Sequence, residues 1–343
     1  MTAKHVLVIA EAGVNHNGDL NMAKRLIRIA AEAGADIVKF QTFSADKLVS
    51  RTAPKADYQM KNIGTVDNSQ FEMLKKLEMP EHWHYELIDE AKRQNISFLS
   101  TGFDEDAVDF LDRLGMAIFK IPSGELTNKR YLQRVARTTK PVILSTGMGS
   151  IEEIRSAVAV LTGEGITRDS ISILHCNTEY PTPMQDVNLL AMNAIAKEFG
   201  VNVGYSDHTE GIEVAISAVA LGASVIEKHF TIDRSLPGPD HKASIEPEDL
   251  KRMIKSIRNV ELAISGTGQK HPSPSELKNM AVARKSIHLK KDIDPGKIIL
   301  EDDLVMKRPG DGISPMMIDE VIGKRALMKL TADQKLLWEH IAK

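Results

Sequence analysis

Short apolar runs alternate with amphipathic helical patterns from the start of the chain to about Ala263, and this alternation constrains the fold more than any other feature. The runs are nearly continuous in aliphatic residues, as expected for parallel strands that are buried on both faces. Eight strand–helix units in a segment of this length predict an α/β fold, a (β/α)8 TIM barrel. The expected strands are Val6–Ile9, Ile37–Phe40, Ser97–Ser100, Ala117–Ile121, Val142–Leu144, Ile171–Leu174, Val201–Gly204 and Val225–Ile226.

The composition changes after the last helical pattern. Residues Ser265–Glu276 (SGTGQKHPSPSE) are rich in glycine, serine and proline, which is typical of a linker. We therefore expect a barrel at residues 1–264, a linker at residues 265–282 and a second unit at residues 283–343. About sixty residues form only a marginal core, so the second unit is expected to pack on the barrel or on another chain.

The overall charge argues against several classes of partner. The 343 residues carry a net charge of −3, which leaves no positive surplus for nucleic acid or anionic membranes, and we predict neither partner.

The single cysteine, Cys176, excludes an internal disulfide and suits a reducing compartment. The apolar run before Glu11 is short for a signal peptide and no stretch is long enough to span a membrane, so we expect a soluble cytoplasmic protein.

Polar residues cluster where the expected strands end. In a TIM barrel the C-terminal ends of the strands form the catalytic face, whereas chance would scatter polar residues over both ends. The residues at these ends are Glu11, Lys39, Gln41, Thr101, Lys120, Ser123, Glu125, Ser145, His175, Asn177, Ser206, His208 and His229. Because all eight expected strands contribute, the pattern predicts an active site at this end of the barrel.

Two lysines, Lys39 and Lys120, end apolar strands and are expected to be buried. A buried ammonium group without a counter-charge costs several kcal/mol, so each lysine needs an anion. A structural interpretation pairs them with Glu11 and Glu125. A functional interpretation is that both lysines bind one substrate carrying a phosphate and a carboxylate. The hydroxyl groups expected to assist are those of Thr101, Ser123, Ser145 and Ser206.

Two histidines, His208 and His229, end the seventh and eighth expected strands, which are neighbours in a barrel. Two imidazoles with oxygen ligands suit a divalent ion such as Mn²⁺, Fe²⁺, Co²⁺ or Zn²⁺. The alternative is a pair of hydrogen-bonded core histidines. His82 and His84 are expected at the exposed start of a helix, without a metal role.

Two further patterns are interpreted as structural. The segment STGMGSIEEI lacks the lysine and the glycine spacing of nucleotide-binding loops, so Ser150 and Glu153 are predicted to form a capping box. Cys176 is interpreted as a packed small residue rather than a nucleophile.

Nine motifs, in order along almost the whole chain, resemble the bacterial sialic acid synthases. They are AEAGVNHNGDL, VKFQTF, FKIPSGE, ILSTGM, LHCNTEYPTP, GYSDHT, EKHFT, GPDH and KRPGDGISP. The resemblance implies a TIM barrel followed by a small antifreeze-like (SAF, β-clip) domain, in a domain-swapped homodimer. It implies a divalent metal, usually Mn²⁺, with Mg²⁺ or Co²⁺ as alternatives. The implied reaction joins phosphoenolpyruvate, N-acetylmannosamine and water into N-acetylneuraminate and phosphate, with C–O cleavage.

The resemblance also implies roles for individual residues. The expected catalytic residues are Glu11, which would handle the attacking water, Lys39, Lys120 and Glu125. The expected phosphoenolpyruvate contacts are Lys39, Thr101, Lys120, Ser123, Ser145, Asn177 and Ser206. The expected sugar contacts are Gln41, Glu125, Tyr180, Asp240 and Arg308, with Arg308 acting on the neighbouring subunit. The expected metal ligands are His208 and His229.

Two positions depart from the family pattern. Gly102 stands in STGF where STPF is common, and Asn177 belongs to an HCNT sequence whose asparagine is placed differently among family members.

Three functional classes are weighed. A Schiff-base aldolase would form an imine on Lys39, Lys120 or Lys228, but paired lysines beside a histidine pair argue against it. A binding module with an inert barrel is disfavoured by the polar strand ends. Within the synthase class, YPTP after Glu179 favours N-acetylmannosamine or 2,4-diacetamido-2,4,6-trideoxymannose (giving legionaminate) over an altrose-configured sugar (giving pseudaminate), and we favour N-acetylmannosamine.

Overall fold

The computed structural model describes residues 5–63 and 69–343. The described residues divide into two compact units, with the boundary between Gly266 and Thr267.

The first unit contains eight parallel strands among its described residues, as predicted. They are β1 (Leu7–Gly13), β2 (Ile37–Thr42), β3 (Ser97–Gly102), β4 (Phe119–Ile121), β5 (Val142–Ser145), β6 (Ile171–His175), β7 (Asn202–Asp207) and β8 (Val225–His229). The strands are hydrogen-bonded in the order β3-β2-β1-β8-β7-β6-β5-β4, and β3 also packs against β4, which closes the barrel. The predicted TIM barrel is therefore confirmed.

Helices follow the strands in the order that the barrel requires. They are α1 (Leu20–Ala33), α2 (Ala45–Leu48), α3 (Asp57–Ile63), α4 (Gln70–Leu77), α5 (Glu81–Arg93), α6 (Glu105–Arg113), α7 (Lys129–Ala136), α8 (Ile151–Gly163), α9 (Ala191–Phe199), α10 (Glu213–Ala220) and α11 (Pro247–Ala263). Helices α2, α3 and α4 are additions between β2 and β3 that the alternating pattern did not predict. The other eight alternate with the strands.

Local sequence signals set the helix ends. The Asp19 side chain accepts hydrogen bonds from the backbone amides of Asn21 and Met22 at the start of α1. The predicted capping box of Ser150 and Glu153 opens α8. Gly34, Gly115 and Gly222 have φ values of +87°, +81° and +103°, respectively. Each lies after a helix, because the left-handed conformation is cheapest for glycine.

The barrel interior is closed by apolar side chains at the N-terminal end of the strands. This plug consists of Ile9, Ile37, Leu99, Ile143, Leu174 and Val225. The opposite faces of the strands pack against the helices in a larger core that includes Val38, Phe40, Ile121 and Ile226. With one end filled, a ligand can enter the barrel only from the C-terminal end of the strands.

The second unit has a small core of its own. It contains α12 (Pro274–Ala283), β9 (Ser286–Leu289), β10 (Leu304–Lys307) and α13 (Ile318–Val321). Strands β9 and β10 pair antiparallel. Their apolar side chains pack with Ile299, Leu330 and Leu336, among others.

The expected linker at residues 265–282 contains a helix, because α12 begins at Pro274 and occupies its second half. Ser273 and Glu276 form a capping box and Pro274 takes the first helical position, so the proline that suggested a linker instead begins a helix. No helix in the described parts of the chain is both long enough and apolar enough to cross a membrane.

Candidate active site

A cavity of about 420 Å³ opens at the C-terminal ends of the barrel strands. Most of the predicted site residues line it, although they are far apart in the sequence. They are Glu11, Lys39, Gln41, Thr101, Lys120, Ser123, Glu125, Ser145, Tyr180, Ser206, His208, His229 and Asp240. The parallel strands account for this convergence, because their C-terminal ends meet around one opening.

The floor of the cavity carries buried charges in close contact. Lys39 Nζ lies 2.8 Å from Glu11 Oε2 and donates a hydrogen bond of 3.1 Å to Thr101 Oγ1. Lys120 Nζ lies 3.2 Å from Glu227 Oε1, and the second oxygen of Glu227 lies 3.7 Å from Lys39 Nζ. Glu227 therefore joins the two lysines. We call Glu11, Lys39, Lys120 and Glu227 the charged floor.

Pairing of Lys120 with Glu125, which the structural interpretation expected, is wrong. Glu125 lies in a short 3-10 turn after β4 and accepts a hydrogen bond of 2.6 Å from Asn128 Nδ2. Its place beside Lys120 is taken by Glu227, which the sequence analysis missed. The signal was present in VIEKH of β8, because Glu227 and His229 are two residues apart and so face the same side of the strand.

The floor stabilises the charge of Lys120 less than that of Lys39. Burial would raise the pKa of Glu227, but Lys120 and Lys39 lower it to about 2, so this carboxylate stays ionised. Burial lowers the pKa of Lys120, and Lys39 lowers it further. Burial also acts against Lys39, but Glu11 and Glu227 outweigh it and raise its pKa. A bound anion would add a second negative charge beside Lys120 and stabilise its ammonium form.

Glu11 has an environment suited to proton transfer. Burial raises its pKa to about 7, although Lys39 acts in the opposite direction. Gln41 Nε2 donates a hydrogen bond of 3.3 Å to Glu11 Oε1. Gly13 has a φ of +51°, and a Cβ atom there would lie 3.3 Å from both Gln41 Nε2 and His229 Cε1. Glycine thus permits the close approach of these side chains.

Several hydroxyl groups surround the floor. Ser206 Oγ donates a hydrogen bond of 3.1 Å to Glu227 Oε1. Ser123 Oγ accepts one of 3.0 Å from the backbone amide of Gly147 and lies 3.3 Å from Cys176 Sγ. Ser145 Oγ is buried without a hydrogen-bond partner among the described residues. A buried hydroxyl of this kind is available to a ligand. Cys176 is buried, as expected of a packed residue.

The two predicted histidines lie side by side, with ring centroids 5.5 Å apart. His208 Nδ1 hydrogen-bonds to the backbone carbonyl of Asn177, which directs Nε2 towards Tyr180 OH at 3.0 Å. His229 Nδ1 is buried without a hydrogen-bond partner in the described part of the chain. Burial lowers the pKa of both rings, that of His208 to about 4, so both are neutral at neutral pH.

These observations fit a divalent metal ion. Neutral imidazoles are the form that binds metal, and a carbonyl that accepts the Nδ1 proton makes Nε2 the His208 nitrogen with a lone pair, which a metal could take in place of the hydroxyl of Tyr180. Within residues 5–63 and 69–343, no group of three or more His, Cys, Asp and Glu side chains is arranged to hold a metal. The protein would therefore supply two imidazoles, and oxygen atoms from substrate or water would complete the coordination.

Three further predicted residues, Asp240, Asn177 and Arg308, have different surroundings. Asp240 lines the cavity and is buried, and burial raises its pKa to about 6. Asn177 does not line the main cavity; its side chain accepts a hydrogen bond from the amide of Glu179, and its carbonyl orients His208. Direct contact of the Asn177 amide with phosphoenolpyruvate is therefore not favoured. Arg308 is exposed in the second unit, where a cis peptide joins it to Pro309.

The structure corrects the prediction for His84. This residue is fully buried, and His84 Nε2 lies 2.7 Å from Thr42 Oγ1. Helix α5 begins at Glu81, which turns His84 towards the core instead of solvent. Its pKa falls to about 4 because of burial, and it lies outside the cavity.

One side of the cavity is apolar. The apolar wall consists of Val14, Phe43, Leu48, Met73, Leu74, Leu77 and Phe103. Four of these residues belong to α2 and α4, the helices added between β2 and β3. The backbone amide of Ala45 donates a hydrogen bond of 2.6 Å to Glu78 Oε1, which ties the ends of this segment together. Sequence reasoning missed the wall because it considered only polar residues at the strand ends. Val14, Phe43 and Phe103 directly follow β1, β2 and β3 but are apolar, and the other four wall residues lie in α2 and α4.

Comparisons with known proteins agree with this site. Residues 26–270 match the model of the NeuB family, and residues 284–342 match the SAF domain. The chain is 53% identical to N,N'-diacetyllegionaminic acid synthase of Campylobacter jejuni over 96% of its length and 98% of the relative. It is 51% identical to the enzyme of the same name from Legionella pneumophila, over 97% and 94%.

A solved structure supports the same assignment. The crystal structure of N-acetylneuraminic acid (sialic acid) synthetase from Leptospira borgpetersenii in complex with citrate has 33% identity and a TM-score of 0.70, covering 80% of this chain and 90% of that one. Together with the barrel, the SAF domain and the polar strand ends, these matches show that the chain belongs to the NeuB family of sialic acid synthases.

Proposed function

We propose that this chain condenses phosphoenolpyruvate with an N-acylated amino-sugar aldehyde and water, giving a nine-carbon sialic-type acid and phosphate. The observation that carries the proposal is the charged floor, in which two buried lysines share one carboxylate. Phosphoenolpyruvate carries a phosphate and a carboxylate on three carbons, so it can meet both ammonium groups at once.

The residues of the floor bind and orient phosphoenolpyruvate. Lys39 and Lys120 hold its anionic groups, and the unpartnered hydroxyl of Ser145 donates to one of them. The anion restores the charge balance that burial and Lys39 disturb at Lys120. Enclosure in the barrel keeps water from competing for these contacts.

The histidine pair would hold a divalent ion, which we propose to be Mn²⁺. When bound, such an ion supplies Lewis acidity towards the aldehyde oxygen of the sugar. His208 and His229 contribute neutral rings, and the carbonyl of Asn177 keeps His208 oriented.

Glu11 is proposed to move the proton of the attacking water. Carbon 3 of the enol bonds to the aldehyde carbon, whose oxygen takes up a proton and becomes a hydroxyl. Water bonds to carbon 2 and gives one of its protons to Glu11, which replaces the proton taken up by the aldehyde oxygen. The bond between carbon 2 and the phosphate oxygen then breaks as the new hydroxyl on carbon 2 loses its proton, which leaves a carbonyl at carbon 2 and inorganic phosphate. A pKa near 7 lets Glu11 accept the water proton at neutral pH. Lys39 and Lys120 stabilise the departing phosphate.

For the sugar we propose 2,4-diacetamido-2,4,6-trideoxymannose, in place of the N-acetylmannosamine that the sequence favoured. The two relatives with 53% and 51% identity are diacetyllegionaminic acid synthases. The apolar wall supports this choice, because methyl groups at C6 and on two acetamido groups are favourably buried there. A C6 hydroxyl facing these side chains would lose its water without gaining a partner.

We also propose that the protein is a homodimer in which Arg308 of each subunit completes the active site of the other. Mixing inactive Arg308→Ala and inactive Lys39→Ala proteins is expected to restore activity, because one site of each mixed dimer would be intact. No recovery after subunit exchange would contradict it.

The test of the reaction uses purified protein, Mn²⁺ and phosphoenolpyruvate labelled with heavy oxygen in the bridge. Phosphate release should depend on the sugar, should stop on chelation, and should carry the label into phosphate. Label in the carbon 2 oxygen of the product would contradict C–O cleavage. Measuring kcat/KM for both sugars tests the choice of substrate, and a clear preference for N-acetylmannosamine would reverse it.

A further inference from the structure

A fully buried ion pair lies next to the two histidines in the sequence and across the same two strands. Lys228 Nζ lies 2.8 Å from Asp207 Oδ2, and both side chains have 0% exposure. Asp207 directly precedes His208, and Lys228 directly precedes His229. The two members of the pair are register partners on β7 and β8.

The pair also fixes the turn after β7. Lys228 Nζ donates a second hydrogen bond, of 2.7 Å, to the carbonyl of Thr209. Asp207 Oδ1 accepts bonds of 2.9 Å and 2.7 Å from the amide and hydroxyl of Thr209. These four contacts fix Asp207 and Thr209, the residues on either side of His208, and tie both of them to Lys228 on β8.

The pair does not take part in the chemistry of the cavity. Side chains alternate along a strand, so Glu227 and His229 face the cavity while Lys228 faces the opposite side. Neither Lys228 nor Asp207 lines the cavity. An imine with pyruvate on Lys228, one form of the aldolase alternative, would therefore need this lysine to leave its carboxylate and reach the other side of the sheet.

Stability alone is a weak reason for such a pair. Removing two charges from water costs several kcal/mol each, and an apolar pair of similar volume is often as stable or more so. What a buried pair supplies instead is fixed geometry, since each group has few alternative partners in the core.

We propose that the Asp207–Lys228 pair is a positioning element that sets the separation and orientation of His208 and His229 for one divalent ion. The inference rests on the proposed function only in requiring that these two histidines bind the ion. Neither Asp207 nor Lys228 touches the ion or the substrate.

The test measures the affinity of the full-length protein for Mn²⁺ without substrate, by the electron paramagnetic resonance signal of free Mn²⁺. Lys228→Met should raise the Kd by about 10- to 100-fold, the range for residues that orient metal ligands. Activity should recover as Mn²⁺ is raised to saturation. Lys24→Met is the control, because it removes a lysine of similar length that pairs with Glu86 away from the histidines. Its Kd should equal that of the unaltered protein.

A second variant tests the same proposal independently, in case Lys228→Met does not fold. Asp207→Asn keeps an oxygen for Thr209 but removes the charge that binds Lys228, and it should also weaken Mn²⁺ binding. Circular dichroism and thermal unfolding establish which variants are folded. An unchanged Kd in a folded Lys228→Met or Asp207→Asn protein would overturn the inference and leave the proposed function intact. If the unaltered protein binds no Mn²⁺, the metal site itself is wrong.

Discussion

The charged floor and the apolar wall enclose the same cavity but differ in origin. The floor is made by residues of four different strands, and every member is held by charge contacts to another member. The wall comes largely from one segment between β2 and β3 and is held by packing among its own apolar side chains. The floor therefore belongs to the barrel, whereas the wall belongs to an insertion.

This difference separates reaction from selectivity. Strand ends are fixed by the whole barrel, so they suit groups whose positions must be accurate, such as those that stabilise developing charge. An inserted segment can vary without disturbing the barrel, so it suits the contacts that choose among sugars. We expect changes in the floor to abolish turnover with every sugar, and changes in the wall to alter the preference between sugars.

The largest effect is expected from Lys120→Met. The substitution removes the ammonium group that meets phosphoenolpyruvate and leaves Glu227 without its nearest cation. We expect kcat/KM to fall by about 100- to 1,000-fold with either sugar, as for the loss of one preorganised donor. Steady-state release of phosphate measures this.

Lys76→Met on α4 is the matched control for Lys120→Met, because Lys76 is exposed and does not line the cavity. Its kcat/KM should be unchanged. If Lys120→Met retained most of its activity, the division of roles between floor and wall would fail.

A smaller effect concerns the contribution of Asp240 to the free energy of unfolding. Burial raises the pKa of Asp240 to about 6 from the usual 3.8, so the folded protein binds this proton more tightly than the unfolded chain. The free energy of unfolding should therefore decrease as the pH rises from about 4 to 6, by up to about 3 kcal/mol from this group. Asp240→Asn should remove this loss.

Denaturant unfolding at pH 4 and pH 8 tests the prediction for Asp240. Asp240→Asn should exceed the unaltered protein in stability at pH 8, and the difference should shrink towards pH 4. An equal difference at both pH values would show that burial of the charge is not the cause. The wall contains no ionisable side chain, so its variants should show the same change in stability at both pH values.

The floor was largely predictable because one rule governs it. Parallel strands buried on both faces have a recognisable apolar sequence, and the polar residue after each one must lie at the common opening. This rule located Glu11, Lys39, Lys120 and His229. It missed Glu227 because His229 already supplied the polar end of that strand, although the two-residue period of VIEKH places both side chains on the same face of β8.

The rest could not be predicted because it depends on contacts between distant segments. Helices α2, α3 and α4 are short, and the apolar residues of α2 and α4 are buried only once the barrel is formed. The inward turn of His84 depends on where α5 begins, and the helix at Pro274–Ala283 depends on a capping box inside a proline-rich segment. In each case tertiary or capping interactions override the composition.

The smallest expected effect gives the most direct test of the wall. Met73 is buried in the wall and lines the cavity, so Met73→Gln places an amide where apolar groups of the sugar are proposed to lie. We expect the ratio of kcat/KM for the diacetamido sugar to that for N-acetylmannosamine to fall by about 10-fold, since one methyl contact contributes roughly 1–3 kcal/mol. Met60→Gln on α3 is the control, because Met60 is partly exposed and does not line the cavity. An unchanged ratio in folded, active Met73→Gln protein would mean that the wall does not select the sugar, and the selecting contacts would then lie among the polar residues that line the cavity.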